Sequence, residues 1–423
     1  MSWSWPERPR RVVVTGMGMV TALGNDVAST FEGLVAGRSG VTPVDTFDTS
    51  RLNVRIAAAV RDFDPSAILD RKDVRRMDRY IQFALWCTRQ AQVQAGLPER
   101  FDDDLAARAG VVIGSGLGGV HTLFDNVLVM GDRGPDRISP FFIPMGIGNV
   151  GAGQVAIATG AIGPNFATVS ACATGGHALG EAWETIRRGD ADLMFAGGVE
   201  ACIHEATLGG FASMQALSTR NGDPAGASRP FDRSRDGFVV GEACGVVVLE
   251  ALEHARARGA LPLAELVGYG ATADASHITL PAPGGVGAVR AAQRALAKAG
   301  IAPSEVDHVN AHATSTPPGD KAELAAIRAI FGDHAPRVAV TANKSMLGHS
   351  LGAAGAVEAI VTIETMRHGV IPPTINLEDP DPAAEGLDLT PNVAARREVR
   401  VAVSNSFGFG GQNTALVFRR WDA

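Results

Sequence analysis

Cysteine and positive charge are both scarce in this sequence, and each shortage removes a class of function. Only four cysteines occur in 423 residues: Cys87, Cys172, Cys202 and Cys244. None forms a C-x-x-C pair and no secretory signal precedes them, so neither a zinc site nor a disulfide framework is expected, and the expected compartment is the reducing cytosol. The formal net charge is −7 and the pI is near 5.8, which gives no general drive toward nucleic acid. No apolar run approaches the ~18 residues needed to span a bilayer. The glycine-rich segments GMGMVTALG and GSGLGG fit neither G-x-G-x-x-G nor G-x-x-x-x-G-K-[ST], so a phosphate-cradling nucleotide site is not indicated.

Apolar residues, in contrast, make up 46% of the chain, enough for a large core, and the 50 glycines follow no G-X-Y period. They point to tight turns and close backbone packing. Runs of strand length occur at Val12–Thr15, Val111–Ile113, Phe166–Val169, Leu193–Ala196, Val246–Leu249, Val338–Thr341 and Val401–Val403. Helical patterns such as 176–188 and 354–367 separate them, which argues for an α/β fold of parallel strands covered by helices. Two internal echoes suggest a duplicated unit. VVTGMG (13–18) resembles ELVGYG (265–270), and the helix ending TIRRG (185–189) resembles the one ending ETMRHG (364–369). A division near residue 255, in EALEHARARGALP, is therefore expected, giving halves 1–255 and 256–423.

The chemistry-bearing residues cluster at strand ends, where α/β sheets bind ligands. Cys172, in VSACATGGH, stands between a strand-like run and a helical pattern. That position predicts a thiolate favoured by the helix's positive end, with small neighbours leaving the sulfur accessible. Cys87, Cys202 and Cys244 read as core. His312 in VNAHATSTPPGDKAE and His349 in TANKSMLGHSLG each follow a strand-like run and precede a helix, and with Lys344, Asp320 and Glu323 they form a candidate site. His177 lies on another helical face from the thiol and reads as structural. The segment SNSFGFGGQN (404–413) predicts a loop whose backbone N–H groups approach a ligand closely.

Across nearly the whole chain, the segments VVVTGMGMVTALG, VSACATG, ASRPFDRSRDGFVVGEACGVVVLE, NAHATSTPPGDKAE, NKSMLGHSLGAAGAVE and NSFGFGG resemble an elongating β-ketoacyl-[acyl carrier protein] synthase of the thiolase superfamily. The resemblance implies a five-layered α-β-α-β-α fold from two duplicated halves, a homodimer, and acyl carrier protein as partner. It implies no cofactor and no metal, the substrates being carried on phosphopantetheine. Cys172 matches the nucleophile, His312 and His349 the paired histidines, Lys344 and Glu323 the supporting charges with Glu323 satisfying Lys344, and Phe409 the gate. Cys172 and Phe409 N–H groups match the oxyanion hole. Thr314 and Thr316 match the pantetheine contacts, and Leu117, Phe142, Phe211, Phe407 and Phe409 the acyl pocket, with Phe142 reaching it across a dimer interface. Lys72, Arg75, Arg76 and Arg137 match carrier-protein docking positions; within RKDVRRMDR (71–79), spacings of three and four would gather several cations on one helical face. Ala313 stands where the family commonly has glycine, and Asp136 and Gln215 where it often has basic residues. Lys344 reads equally as a structural ion pair.

Rival readings are separated by single residues. A degradative thiolase needs a second cysteine near the C-terminus, and none follows Cys244. An initiating synthase has asparagine where His349 stands, and a noncatalytic chain-length partner lacks the nucleophile. A papain-like protease spaces Cys and His similarly but carries C-G-[SA]-C-[WY], which is absent. A type II polyketide ketosynthase remains the alternative pathway assignment, and a noncatalytic carrier-binding scaffold the remote one.

Overall fold

A computed structural model describes residues 9–422. Ten strands join in one sheet: β1 (Val12–Val20), β2 (Ala109–Gly114), β3 (Asn165–Phe166), β4 (Leu193–Glu200), β5 (Ala243–Ala251), β6 (Ala264–Ala273), β7 (His308–Asn310), β8 (Ala339–Thr341), β9 (Val401–Gly408) and β10 (Gln412–Arg420). Their spatial order is β8-β7-β9-β10-β6-β1-β5-β4-β2-β3. The order is the same read outward from the β1/β6 junction in either direction, so β1–β5 and β6–β10 are copies of one unit. The two echoing segments meet there, Val12 opposite Leu266 and Val14 opposite Ala264.

The layers follow from the burial each element requires. β1 is buried at all nine positions, as an apolar run covered on both faces must be. Helices α3 (Thr174–Arg188) and α6 (Ala354–His368) pack on each other and on strands of both halves, forming the middle layer. Every residue of α6 from Ala354 to Met366 is buried, as expected for a helix without a solvent face. α1 (Arg79–Gln94) and α2 (Val150–Thr159) cover the outer face of the first unit, α4 (Val286–Ala299) and α5 (Pro317–Phe331) that of the second. The expected five layers are thus present, with α3 and α6 at the centre. Gly175 makes that centre close-packed, because a Cβ there would lie 2.6 Å from the Ala356 nitrogen.

Two expectations need correction. The strands are not all parallel: β2 runs parallel to β3 and β4, and β7 to β8 and β9, but β1–β5, β1–β6, β4–β5, β6–β10 and β9–β10 are antiparallel. For β9–β10 the cause is local, since only Phe409–Gly411 join them, a hairpin length that cannot make a parallel crossover. Residues 167–169 do not extend β3. The chain leaves the sheet there, with Thr168 Oγ1 donating to the Thr174 carbonyl (3.0 Å) and the Ser170 N–H to Thr174 Oγ1 (2.9 Å).

Candidate active site

Cys172 is the middle residue of a single 3₁₀ turn, Ala171–Ala173, that runs directly into α3. Ala171 has φ +48°, an unfavourable region for a residue with a Cβ, and it bends the chain so that the next side chain leaves the sheet toward the β9–β10 hairpin. Gly408 permits the approach: a Cβ there would lie 2.6 Å from the Ser170 carbonyl oxygen and 3.3 Å from the Cys172 nitrogen. The N–H groups of Phe409 and of Cys172 itself both favour the sulfur's anion. The expected low thiol pKa is nevertheless not found. Cys172 is 7% exposed, and burial pushes its thiol up to about 12 against the opposing pull of Lys344 and the two N–H groups. Cys172 lines a cavity of the site. Cys87, Cys202 and Cys244 are fully buried, as the core reading expects. His177 is held by Ser170 Oγ (2.8 Å) and the Ala173 carbonyl (3.2 Å), a structural role.

His312 and His349 come from separate loops of the second unit and meet edge to face, ring centroids 5.4 Å apart. His349 is fixed through its backbone, its N–H donating to the Val239 carbonyl (2.7 Å) and its carbonyl accepting from Gly241 (2.9 Å). Phe238 packs against its ring at 5.3 Å, and Phe407 against that of His312 at 5.4 Å. Burial, and after it the Lys344 charge, holds both imidazoles well below their ordinary range; His349 adds to the effect on His312. The shift favours the neutral form of both rings, and the Nδ1 of each is buried without a hydrogen-bond partner among the described residues.

The carboxylates sort differently from the expectation. Glu323 does not contact Lys344. Its two oxygens accept the N–H groups of His312 (2.9 Å) and Ala313 (2.7 Å), so it shapes the histidine loop. Lys344 instead pairs with Glu358 on α6, both side chains 2% exposed. Burial pushes Glu358 up to about 7 against the pull of that lysine. Asp320, one helical turn before Glu323 on α5, accepts from Ser315 (3.1 Å) and Phe231 (2.8 Å) and faces Arg235 at 3.4 Å; burial pushes it up to about 7. Glu358 and Phe238 were not singled out from the sequence. For Glu358 a signal existed, a lone acid among the small and apolar residues AGAVEAIV; for Phe238 there was none.

A cavity of about 230 Å³ brings Cys172, His349, Leu117, Phe211, Phe407 and Phe409 together with Thr314 and Thr316. A second, of about 240 Å³, holds His312 and Glu323 and shares the walls Thr314, Thr316, Phe407 and Phe409. Thr314 and Thr316 hydroxyls lie 3.0 Å apart. Phe142 is half-buried at the start of a short helix and lines neither cavity. The basic segment is not one helix. Arg71–Val74 form a single turn and α1 begins at Arg79, capped by Asp78. Lys72, Arg75, Arg76 and Arg137 are exposed, and Arg76 lies 5.0 Å over the Phe141 ring. Arg79 turns inward to the Val60 carbonyl (2.8 Å) and to Glu242, and so leaves the patch. Among the described residues no three His, Cys, Asp or Glu side chains gather as metal ligands, and no helix is long and apolar enough to cross a membrane.

A buried cysteine on one half, paired histidines on the other and a glycine-rich hairpin between them form the arrangement expected of a condensing enzyme. The chain matches "Beta-ketoacyl synthase, N-terminal domain" over residues 9–255 and "Beta-ketoacyl synthase, C-terminal domain" over 263–378, and it belongs to the β-ketoacyl synthase family. It is 48% identical over 411 residues to 3-oxoacyl-[acyl-carrier-protein] synthase 2 of Coxiella burnetii, covering 97% of this chain and 99% of that protein. The protein of the same name from Synechocystis is 47% identical over 412 residues, 97% of this chain and 98% of that one. Among solved structures, a β-ketoacyl synthase from Burkholderia phymatum superposes with a TM-score of 0.89 at 37% identity, covering 98% of this chain and all of that one. A type II polyketide ketosynthase in complex with its acyl-carrier protein superposes at 0.88 with 34% identity, over the same shares of the two chains. The resemblance on which the fold and the enzyme class were expected therefore holds.

Proposed function

We propose that this protein lengthens an acyl chain by two carbons through decarboxylative condensation with malonyl-acyl carrier protein, in fatty-acid synthesis. The observation that carries the reading is the convergence of Cys172, His349 and Phe409 in one cavity, with His312 beside it in the next. In the first step the Cys172 sulfur attacks the acyl thioester, the carrier's pantetheine sulfur leaves, and the thiol proton ends on that sulfur. Lys344 and the two N–H groups assist the sulfur's anion, and the N–H groups of Cys172 and Phe409 hold the tetrahedral oxyanion. In the second step malonyl thioester loses carbon dioxide and its enolate oxygen accepts hydrogen bonds from neutral His312 and His349. In the third the enolate carbon attacks the acyl carbonyl, the bond to Cys172 breaks with its electron pair on sulfur, the thiolate takes a proton from water, and a 3-oxoacyl thioester leaves.

In this reading Thr314 and Thr316 hold the pantetheine arm, Leu117, Phe211, Phe407 and Phe409 border the acyl chain, and Phe142 completes the pocket of a partner subunit in a cytoplasmic homodimer. Exposed Leu128, Ile143, Phe166 and Val169 support such an interface. Carrier protein docks on Lys72, Arg75, Arg76 and Arg137, the chain divides functionally near residue 255, and the reaction as written uses no metal or cofactor. A polyketide role is the second reading, favoured by the polyketide ketosynthase neighbour. The test is incubation with acyl carrier proteins of graded chain length, then with malonyl carrier protein, reading adduct and product by intact mass. Adduct on Cys172 followed by a product two carbons longer is expected; adduct without extension overturns the reading, and repeated extension of the keto product favours the polyketide one.

A further inference from the structure

Glu200 ends β4 with no exposed surface, and the mechanism gives it no task. Its carboxylate accepts four hydrogen bonds, all from neutral donors. Oε1 takes the Ser115 hydroxyl (2.9 Å) and the Leu117 N–H (3.1 Å); Oε2 takes the N–H groups of Gly116 (2.8 Å) and Gly352 (2.9 Å). Ser115, Gly116 and Leu117 follow β2 in the first unit. Gly352 belongs to the turn after His349 in the second. One side chain therefore ties the two units together at the floor of the site. Ser115 Oγ extends the tie by accepting the Gly118 N–H (2.9 Å). Both tethered segments are cavity wall: Gly116, Leu117 and Leu351 border the same space as Cys172. The approach depends on small residues, since a Cβ at Gly116 or Gly352 would lie 2.7 or 2.8 Å from Oε2.

We infer that Glu200 is a positioning residue for acyl-chain selection, clasping Gly116–Leu117 to Leu351–Gly352 so that the two apolar walls beside Cys172 keep a fixed separation. The inference rests on the reading of that cavity as the acyl pocket. Its physical basis is the donor count. Four donors converge on two acceptor atoms, and buried donors deprived of an acceptor do not stay where they are. Burial raises the Glu200 pKa above the ordinary carboxylate range, and the same four donors pull it back, so the clasp and the charge support each other.

Glu200→Gln keeps the volume but turns one acceptor into an NH₂ group facing N–H donors, breaking about half the clasp. The experiment measures the rate of acyl transfer to Cys172 from carrier proteins bearing six- and sixteen-carbon chains, in wild type, Glu200→Gln, Leu117→Ala and the double variant. The long-to-short ratio is expected to change about fivefold in Glu200→Gln, and less than about twofold when Leu117 is already alanine, because the clasped side chain is gone. Equal loss for both chains, or the same change with and without Leu117, overturns the inference. A ratio unmoved by Leu117→Ala alone counts instead against the acyl-pocket reading, and takes the inference with it. Should Glu200→Gln fail to fold, Ser115→Ala removes one donor and should move the same ratio in the same direction, about twofold; no change would overturn the clasp.

Discussion

Residues 171–173 and 351–353 form the same 3₁₀ turn at the same place in the two halves, each opened by a non-glycine residue in the left-handed region (Ala171 φ +48°, Leu351 φ +44°) and each running into a central helix. In the first half the middle residue is Cys172, whose sulfur faces the cavity. In the second it is Gly352, whose N–H is taken by Glu200. The loops that follow the second strand of each half show the same division. Glu200 holds two successive N–H groups at Gly116 and Leu117 and so builds a wall, whereas Glu323 holds those of His312 and Ala313 and so presents a histidine. The two halves offer equal scaffolds; in the proposed reaction, the residue placed on each turn and loop decides which one attacks the acyl group and which one handles the malonyl group.

The largest expected effect breaks the comparison at its first member. Cys172→Ala should abolish the acyl adduct seen by intact mass, and an adduct persisting on Cys87, Cys202 or Cys244 would remove the first half's claim to the nucleophile. Next comes the charge behind the histidines. Lys344→Ala leaves Glu358 buried and unpaired and should cost ~3–5 kcal/mol in a denaturant melt, while Lys344→Met with Glu358→Gln should cost markedly less. In that double variant burial still lowers both histidine pKa values but the added push of the Lys344 charge is gone, so they rise part of the way. The neutral imidazoles should then be lost at a higher pH than in wild type, and the acid limb of carbon dioxide release should move up. A limb that stays in place would show that Lys344 does not act on the histidines. The smallest effect concerns docking. Arg75→Glu with Arg76→Glu should raise the KM for acyl carrier protein about tenfold, ~1.4 kcal/mol, and wild-type turnover should weaken with salt. Small pantetheine thioesters should be indifferent, and equal loss with both substrate types would place the patch in folding instead.

Much of the plan was legible because it is local. The paired segments 13–18 and 265–270 announced the two strands that meet at the sheet's centre, and a cysteine among small residues between a strand-like run and a helix announced the turn. What escaped depends on distant partners or on a local break. Glu358 matters only because α6 passes behind Lys344, and the family resemblance pointed to Glu323 for that pairing. The thiol pKa is not legible in the sequence because a helix end is visible there and the depth of burial is not. Residues 71–79 looked like one basic helix, but Asp78 caps a new one, and Arg79 goes inside with Glu242.

The division of labour is tested most directly by His349→Ala given acyl-loaded carrier protein and malonyl-loaded carrier protein in separate reactions, with the Cys172 adduct read by intact mass and carbon dioxide by release. The account predicts that the adduct still forms while carbon dioxide release falls by about 10²-fold or more. Loss of the adduct, or carbon dioxide released at the wild-type rate, would contradict it.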